Sequence, residues 1–250
     1  MMNYVLTTMA ERPSLRAAAE KLITDVWPAF LQQDQIAYEF WSRLYDDFPA
    51  YQLFLLEPET ETLVAVGNSI PLAWNEAAEA LPAEGWRWAL AQGFADAAAG
   101  SVPQTLCALS ITLDPRYLGQ GISSVMVKGM KENGRSFQLS RIIAPVRPNL
   151  KNRYPLIPMK QYITWQNDAG LPFDAWLRVH HRLGARIVGI CPKSMRIVGT
   201  VADWEAWTGL RLPQSGLYTV AGGLTPLKIS CEKNLGVYFE PNVWMIAPLE

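Results

Sequence analysis

The sequence predicts an α/β protein in which helices pack around a central sheet. The clearest sign is the run Thr105–Leu113, which has the length and β-branched content of a strand and is apolar on both faces, as interior strands are. Two glycines follow this run, and apolar residues then recur at helical spacing from Ile122 to Met130. The 250 residues, half of them hydrophobic, can bury one substantial core, so we expect a single domain over residues 1–250.

Two helices and a hairpin are predicted ahead of this strand. One helical stripe of apolar residues runs from Leu15 to Val26 and a second from Ile36 to Leu44, so the helices come first. Strand-like runs at Tyr51–Leu56 and Leu63–Gly67 flank a polar turn, which predicts a hairpin. The second run continues past Pro71, and this proline predicts an edge position or a bulge.

The remaining elements alternate between helix and strand. A helix rich in Ala and Trp is expected at 86–98, directly before the interior strand. Beyond the glycines and their helix, the predicted elements are the strand Arg141–Val146, the helix Phe173–Ala185, and the strands Arg186–Ile190 and Ser194–Val201. Strand-like pieces between Leu217 and Ile246 either extend the fold or pair with a second subunit, which leaves a homodimer open.

The glycine turn, LDPRYLGQGIS at residues 113–123, suggests an anion site. A strand-to-helix turn presents the free N–H groups of a helix start, with about half a unit of positive charge, and a phosphate fits there. A dinucleotide-binding fingerprint fails, because Ser124 stands where its third glycine is needed. A nucleoside-triphosphate loop fails as well, because Ile122 rather than Lys follows Gly121.

The pattern Arg116-x-x-Gly119-x-Gly121, directly after Asp114-Pro115, resembles the pyrophosphate-binding loop of the GNAT acetyltransferase superfamily, whose members bind acetyl-CoA or another acyl-CoA. Leu118 stands where this family frequently has Arg, and a serine stands where a third glycine is frequent. Neither change removes a backbone donor. The alternative is an ordinary turn whose glycines serve only a positive φ.

The resemblance implies a mixed, mostly antiparallel central sheet flanked by helices, with a helical amino-terminal part and a strand-rich carboxy-terminal extension. It covers about 51–201, and the extension covers about 211–250. The strand Arg141–Val146 would splay from the central strand and open a V for the pantetheine arm of acyl-CoA.

The resemblance also implies the cofactor site. Backbone N–H groups of the loop would hold the pyrophosphate, and main-chain groups around Leu113 would hold the pantetheine. The residues assigned to acyl-CoA are Leu113, Arg116, Leu118, Gly119, Gln120, Gly121, Ile122 and Ser123.

His180 is the candidate catalytic residue. Around it the sequence resembles the family's Leu-Tyr-x-x-x-Gly-Phe ending, with Val179 for the Leu and Gly184 for the Gly, so His180 takes the place of a Tyr that protonates the departing thiolate. An imidazolium acid, a neutral base and a neutral hydrogen-bond donor to the sulfur predict different pH profiles. A packed histidine without a chemical role is the remaining alternative.

The insert between Arg147 and Pro172 is long for a structureless loop, and Asn149 within it matches an Asn of the family. It forms either part of an acceptor pocket or an ordinary surface excursion. If its basic residues, among them Arg153 and Lys160, face the substrate, the acceptor carries a carboxylate or a phosphate.

The implied reaction is attack of an amine, on a small molecule or a protein, on the thioester of acyl-CoA. The family pattern does not place Asp114, Glu76 or Glu79 as the base, and each is expected to be a solvated carboxylate. The alternative is a non-catalytic acyl-CoA-binding module whose occupancy regulates a partner.

Composition excludes several other classes. A net charge of −1 without a long basic run argues against nucleic-acid binding. No leader-like start or membrane-length apolar run is found, so a cytoplasmic protein away from membranes is expected. The adjacent histidines lack further ligands at metal-binding spacing, so no metal is expected. The three separated cysteines are expected to be reduced thiols.

Overall fold

A computed structural model describes residues 4–249. Its strands form one mixed sheet, in which β1 to β5 follow each other in chain order and β9 pairs beyond β5. The strands are β1 (Val5–Thr8), β2 (Gln52–Leu56), β3 (Leu63–Leu72), β4 (Thr105–Leu113), β5 (Arg141–Val146), β6 (Arg186–Gly199), β7 (Gly216–Tyr218), β8 (Leu227–Ser230) and β9 (Leu235–Pro248).

Every strand pair is antiparallel except β4 with β5, so the predicted mixed and mostly antiparallel sheet is confirmed. In this parallel pair, only Thr105–Cys107 of β4 pair with β5, and their partners are Arg141–Ile143. Beyond these residues β4 and β5 pair no further with each other, and the sheet opens between them. This fork is the V expected from the sequence.

Helices cover both faces of the sheet. They are α1 (Arg16–Val26), α2 (Gln35–Phe40), α3 (Leu44–Asp47), α4 (Gly85–Ala98), α5 (Ile122–Ser136), α6 (Met159–Tyr162), α7 (Ala175–Arg182) and α8 (Val201–Thr208). Helices α5 and α7 pack in one cluster with Leu53 and Leu55, whereas α1 packs with Phe54, whose side chain leaves the strand on the opposite side. Helices α2, α4 and α8 surround a third cluster that contains Trp86 and Trp244.

The structure corrects several predicted elements. Strand β1 precedes the helices, and the second helical stripe is divided between α2 and α3. The two strands expected at 186–201 are one strand, β6, with a register shift between Cys191 and Met195. The sequence from Val201 onward begins a helix, because Thr200 and Asp203 form a reciprocal capping box there.

The proline of β3 fits both alternatives that the sequence left open. The register of β3 with β4 shifts between Asn68 and Ser69, and the pairing of β3 with β2 ends at Asn68. Pro71 therefore lies where β3 pairs with β4 alone, and its missing N–H leaves no ladder bond unmade.

The carboxy-terminal strands extend the fold in a specific way. Strand β9 lies between β5 and β6 and pairs with both, through Val243–Pro248 on one side and Gly236–Ile246 on the other. It therefore belongs to the interior of the sheet, beside the fork. Within residues 4–249 every helix falls short of the length and apolar character that a membrane span needs.

Candidate active site

The loop after β4 is held in place by its own first residues. The carboxylate of Asp114 accepts hydrogen bonds from the backbone N–H of Arg116 at 2.9 Å and from its guanidinium Nη2 at 2.6 Å. The hydrogen bonds from Arg116 lower the pKa of Asp114. The side chain of Arg116 therefore folds back on the turn that precedes the glycines.

Beyond this turn the backbone presents a row of unused donors. Gly119 and Gly121 have φ angles of +80° and +78°, the left-handed region that favours glycine, and α5 begins immediately afterwards. The N–H of Leu118 donates to the Pro115 carbonyl at 3.4 Å, whereas those from Gly119 to Ser123 have no acceptor within residues 4–249. A side chain at either glycine would meet no atom within 4 Å. This open, positively polarised surface is suited to a pyrophosphate.

A cavity of about 250 Å³ lies at the fork between β4 and β5. Its walls come from widely separated segments: Val26, Trp27, Pro28, Leu31, Trp86, Ala108, Leu109, Ser110, Ile111, Ala144, Pro145, Val146, Arg147, Asn149, Trp176, His180, Met195 and Asn242. Three indoles and several aliphatic side chains make the wall mainly apolar. Arg147 carries the only formal charge among these lining side chains at neutral pH if His180 is neutral.

Hydrogen bonds fix two of the indoles to the open part of β4. The Nε1–H of Trp86 donates to the Leu109 carbonyl at 3.1 Å, and that of Trp27 donates to the Thr112 hydroxyl at 2.9 Å. The backbone N–H of Trp86 donates to Ser194 Oγ at 2.9 Å, which ties α4 to β6. These hydrogen bonds hold the tryptophan side chains in position, while the apolar surfaces of their indoles line the cavity.

Helix α7 brings His180 to the cavity. Asp174 caps this helix, accepting from the backbone N–H groups of Trp176 and Leu177, and also accepts from Leu150 N–H and the Tyr162 hydroxyl at 2.8 and 2.9 Å. This buried carboxylate therefore fastens the 147–172 insert to α7.

His180 itself is only 8% exposed, and its ring lies 6.1 Å from that of Trp176. Its ring nitrogens have no hydrogen-bond partner within the described part of the chain. Burial lowers the pKa of His180 to about 4, so the imidazole is neutral near pH 7.

A buried polar cluster supports the cavity beside the end of β5. The guanidinium of Arg147 donates from Nε to Glu240 and from Nη2 to the Gly222 carbonyl, and the Tyr238 hydroxyl donates to the same carboxylate. Lys151 is fully buried, and its ammonium donates to the carbonyls of Tyr154 and Leu224 at 2.7 Å each. Burial lowers the pKa of Lys151 to about 8.

Comparison with known proteins decides the family. Arginine N-acetyltransferase avaD of Aspergillus versicolor is 30% identical to this chain over 278 residues, covering 99% of the chain and 94% of the relative. This chain belongs to the GNAT superfamily. No protein-family model matches it.

Two solved structures share this GNAT fold. The loading GNAT-like domain of CurA from Lyngbya majuscula superposes with a TM-score of 0.62 at 17% identity, covering 99% of this chain and 98% of that one. The GphF GNAT-like decarboxylase, solved in complex with isobutyryl-CoA, gives a TM-score of 0.57 at 17% identity, covering 98% and 100%.

With a full-length N-acetyltransferase relative, this GNAT protein is an enzyme, an acyl-CoA-dependent N-acyltransferase that uses acyl-CoA as co-substrate and an amine as acceptor. The relative's named activity sets aside the non-catalytic module. Within residues 4–249 no group of His, Cys, Asp and Glu side chains is arranged to hold a metal ion.

The structure brings together some of the predicted site residues and not others. His180 and Asn149 line the cavity at the fork, and the loop residues lie beyond the end of β4. Arg153 and Lys160 are exposed and contribute nothing to the cavity wall, and none of the carboxylates considered as a base lines it. The insert instead reaches the cavity through Arg147 and Asn149.

Sequence reasoning missed most of the cavity wall. Trp27, Trp86, Met195 and Asn242 come from four segments far apart in the chain, and no motif links them. The one available signal was the richness in tryptophan of the helix predicted at 86–98, ahead of β4.

Proposed function

We propose that this GNAT enzyme transfers an acetyl group from acetyl-CoA to the α-amine of a small acceptor of amino-acid size, with arginine as the first candidate. The observation that carries the proposal is the cavity of about 250 Å³ at the fork, whose wall includes three indoles. The name of the full-length relative, arginine N-acetyltransferase, supports the choice of acceptor.

The size and depth of the cavity favour a free small molecule over a protein. Trp86, Leu109 and Asn242 in its wall are each less than a tenth exposed, so an acceptor must enter the fold to reach them. Its volume lies near the lower end of small-molecule sites, which begin at about 300 Å³. A folded protein could insert only a side chain there.

Arginine suits this wall because its guanidinium is planar and stacks on aromatic faces. No carboxylate lines the cavity, so the indoles of Trp27, Trp86 and Trp176 are the groups that attract this cation. The guanidinium keeps its proton at every ordinary pH, whereas an α-amine loses its proton several pH units lower. The α-amine is therefore the nucleophile.

In the reaction, the neutral amine attacks the carbonyl carbon of the thioester, the carbon–sulfur bond breaks, and the amide forms. The amine gives up a proton and the departing thiolate takes one. The free N–H groups from Gly119 to Ser123 would hold the pyrophosphate, each charge-assisted hydrogen bond contributing on the order of 1.5–3 kcal/mol. The enzyme contributes mainly positioning, since the cavity is lined by the open part of β4 and the loop follows the end of the same strand.

His180 fits the third of its predicted roles. A neutral imidazole at the cavity wall can donate a hydrogen bond to the sulfur as negative charge develops there. Its lowered pKa makes it a weak general base for an amine at neutral pH. We therefore assign His180 to hydrogen-bond donation rather than to proton removal.

The experiment measures CoA thiol released from acetyl-CoA in the presence of arginine, lysine, citrulline or tryptamine, with product structure determined by tandem mass spectrometry. We expect acceptor-dependent thiol release, fastest with arginine, and an acetyl group on the α-nitrogen. Citrulline, which lacks the guanidinium charge, is the matched control and should react more slowly. Release that is equal for all acceptors, or acetylation on the guanidine, would contradict the proposal.

A further inference from the structure

We propose that Arg147 binds the carboxylate of the acceptor, so that the enzyme selects free amino acids over amines that lack this group. The inference deepens the proposed function and rests on it. It assigns a specificity-determining role to a residue at the carboxyl end of β5, where the strand turns into the insert.

The guanidinium of Arg147 is held firmly while one nitrogen stays free. Its Nε donates a hydrogen bond to the Glu240 carboxylate, and its Nη2 donates one to the Gly222 carbonyl. These two hydrogen bonds fix the plane of the guanidinium. The remaining nitrogen, Nη1, has no partner within residues 4–249, and the side chain is 33% exposed while lining the cavity. A fixed guanidinium with an unused donor is suited to binding a carboxylate oxygen.

The charges behind this wall also favour an anion. Glu240 is completely buried and accepts hydrogen bonds from Arg147 and from the Tyr238 hydroxyl, and it also interacts electrostatically with Lys151. The cluster therefore contains two cationic side chains, Arg147 and Lys151, and one carboxylate, Glu240. Burial raises the pKa of Glu240, whereas its contacts with Arg147 and Tyr238 oppose this shift. The cavity wall here is left with a positive field and no lining carboxylate.

The geometry divides the acceptor between two regions of the cavity. Arg147 and Asn149 lie where the insert leaves β5. Trp27 lines the cavity from the end of α1, and Trp86 lines it from α4. An amino acid with its carboxylate at Arg147 would direct its side chain toward the indoles. A decarboxylated analogue keeps the indole contacts and loses the ion pair.

The test compares arginine with agmatine, its decarboxylated analogue, and with arginine amide, using the wild-type enzyme and Arg147→Gln. In the wild type we expect kcat/KM for arginine to exceed that for either analogue roughly 10- to 100-fold, as a lost charge-assisted hydrogen bond implies. In Arg147→Gln arginine should fall to the level of the analogues, mainly through a higher KM, while the analogues change little.

A second variant guards against misfolding, because Arg147→Gln leaves the Glu240 carboxylate buried without its partner. Arg147→Gln/Glu240→Gln removes both charges and should lose the same discrimination, whereas Glu240→Gln alone keeps Arg147 and should keep it. Calorimetry with CoA confirms an intact cofactor site in each variant.

The outcomes separate this inference from the proposed function. Equal rates with arginine and agmatine in the wild type, or equal losses for both in the variants, would overturn the role of Arg147 and leave arginine as acceptor. Absence of thiol release with all three compounds would overturn the proposed acceptor together with this inference.

Discussion

The glycine loop and the cavity at the fork are built by opposite means. The loop consists of residues 113–123 in unbroken order, and it offers backbone N–H groups whose positions follow from two left-handed glycines. The cavity takes its side chains from segments between Val26 and Asn242. The comparison teaches that a site built from the backbone of one short segment can be recognised in the sequence of that segment. A site built from side chains of distant segments cannot be recognised in this way.

The largest expected effect tests the loop. Gly121→Val should weaken CoA binding about 100-fold or more, since a side chain would stand over the free donors and a β-branched residue resists a φ of +78°. Isothermal calorimetry with CoA gives the affinity. The backbone strain itself should destabilise the fold by roughly 1–2 kcal/mol.

Gly209→Val is the matched control for that change. Gly209, at the end of α8, has a φ of +69° and, like Gly121, would meet no atom within 4 Å through a side chain. It should show a similar loss of stability with unchanged CoA affinity. An equal loss of CoA affinity in both variants would mean that backbone strain, and not the blocked N–H groups of the loop, weakens CoA binding.

Asp174 offers the corresponding test of the cavity. Asp174→Ala leaves four donors without their acceptor, including Leu150 N–H and the Tyr162 hydroxyl, so the free energy of unfolding should fall by about 3 kcal/mol. Because α7 and the insert both shift, acceptor kcat/KM should fall roughly tenfold. CoA affinity should change less than about threefold.

The control for Asp174 is Asp203→Ala. Asp203 also caps a helix, α8, but it is only partly buried and contributes nothing to the cavity wall. We expect a destabilisation of about 1 kcal/mol and unchanged kinetics. If Asp174→Ala weakened CoA binding as strongly as acceptor turnover, the two regions would share one support and the contrast between them would disappear.

A smaller effect concerns His180 and pH. Its folded-state pKa of about 4 lies below the usual 6.5, so the unfolded chain binds more protons between these values and stability is lost as pH falls through 6.5 toward 4. From pH 7 to pH 5 the wild type should lose about 2 kcal/mol more than His180→Phe. Urea unfolding at both pH values measures this difference.

The same variant tests the chemistry. If neutral His180 donates to the sulfur, the turnover of wild type and His180→Phe should differ in size but follow the same pH profile from 5.5 to 8. His181→Gln, at the exposed neighbouring position, serves as control and should match the wild type. A wild-type rate that falls with rising pH, absent in His180→Phe, would restore the imidazolium acid. Identical rates and profiles would remove His180 from the mechanism.

The smallest expected effect is at the surface of the insert. Arg153→Ala and Lys160→Ala should change the acceptor KM by less than about twofold, because both side chains are exposed and lie outside the cavity wall. Steady-state kinetics with saturating acetyl-CoA measures it. A severalfold rise in KM would return these residues to the acceptor site, as the sequence alone had suggested.

Sequence predicted the backbone geometry of the loop because its physical requirements are local. A positive φ demands glycine, and a helix start supplies donors, so the letters of 113–123 determine most of the geometry. Two details follow only from the three-dimensional structure. The N–H of Leu118 donates a hydrogen bond to the Pro115 carbonyl, and the guanidinium of Arg116 donates to the Asp114 carboxylate. Both depend on how the turn closes on itself.

Two features escaped prediction for different reasons. The apolar sequence at 194–201 suits a strand, yet the chain becomes helical at Val201, and the Thr200-x-x-Asp203 pair was the local signal for it. The sequence alone does not single out Arg147, because its side chain is held by Glu240, which follows 93 residues later in the chain. Such a pairing has no signature in either segment alone.

The position of β9 has a consequence for biosynthesis. The β5 strand emerges from the ribosome about a hundred residues before β9, its neighbour in the sheet, and until then β5 and β6 each lack the partner that later joins them. A nascent chain must therefore carry the unsatisfied edge of β5 for about a hundred residues of synthesis, and that of β6 for the last part of this interval, a state open to pairing with other chains. The cavity cannot close before this late insertion, so the enzyme should gain its acceptor site in one final step rather than progressively. The amount of folded enzyme in cells then depends on how well this intermediate is protected from pairing with other chains.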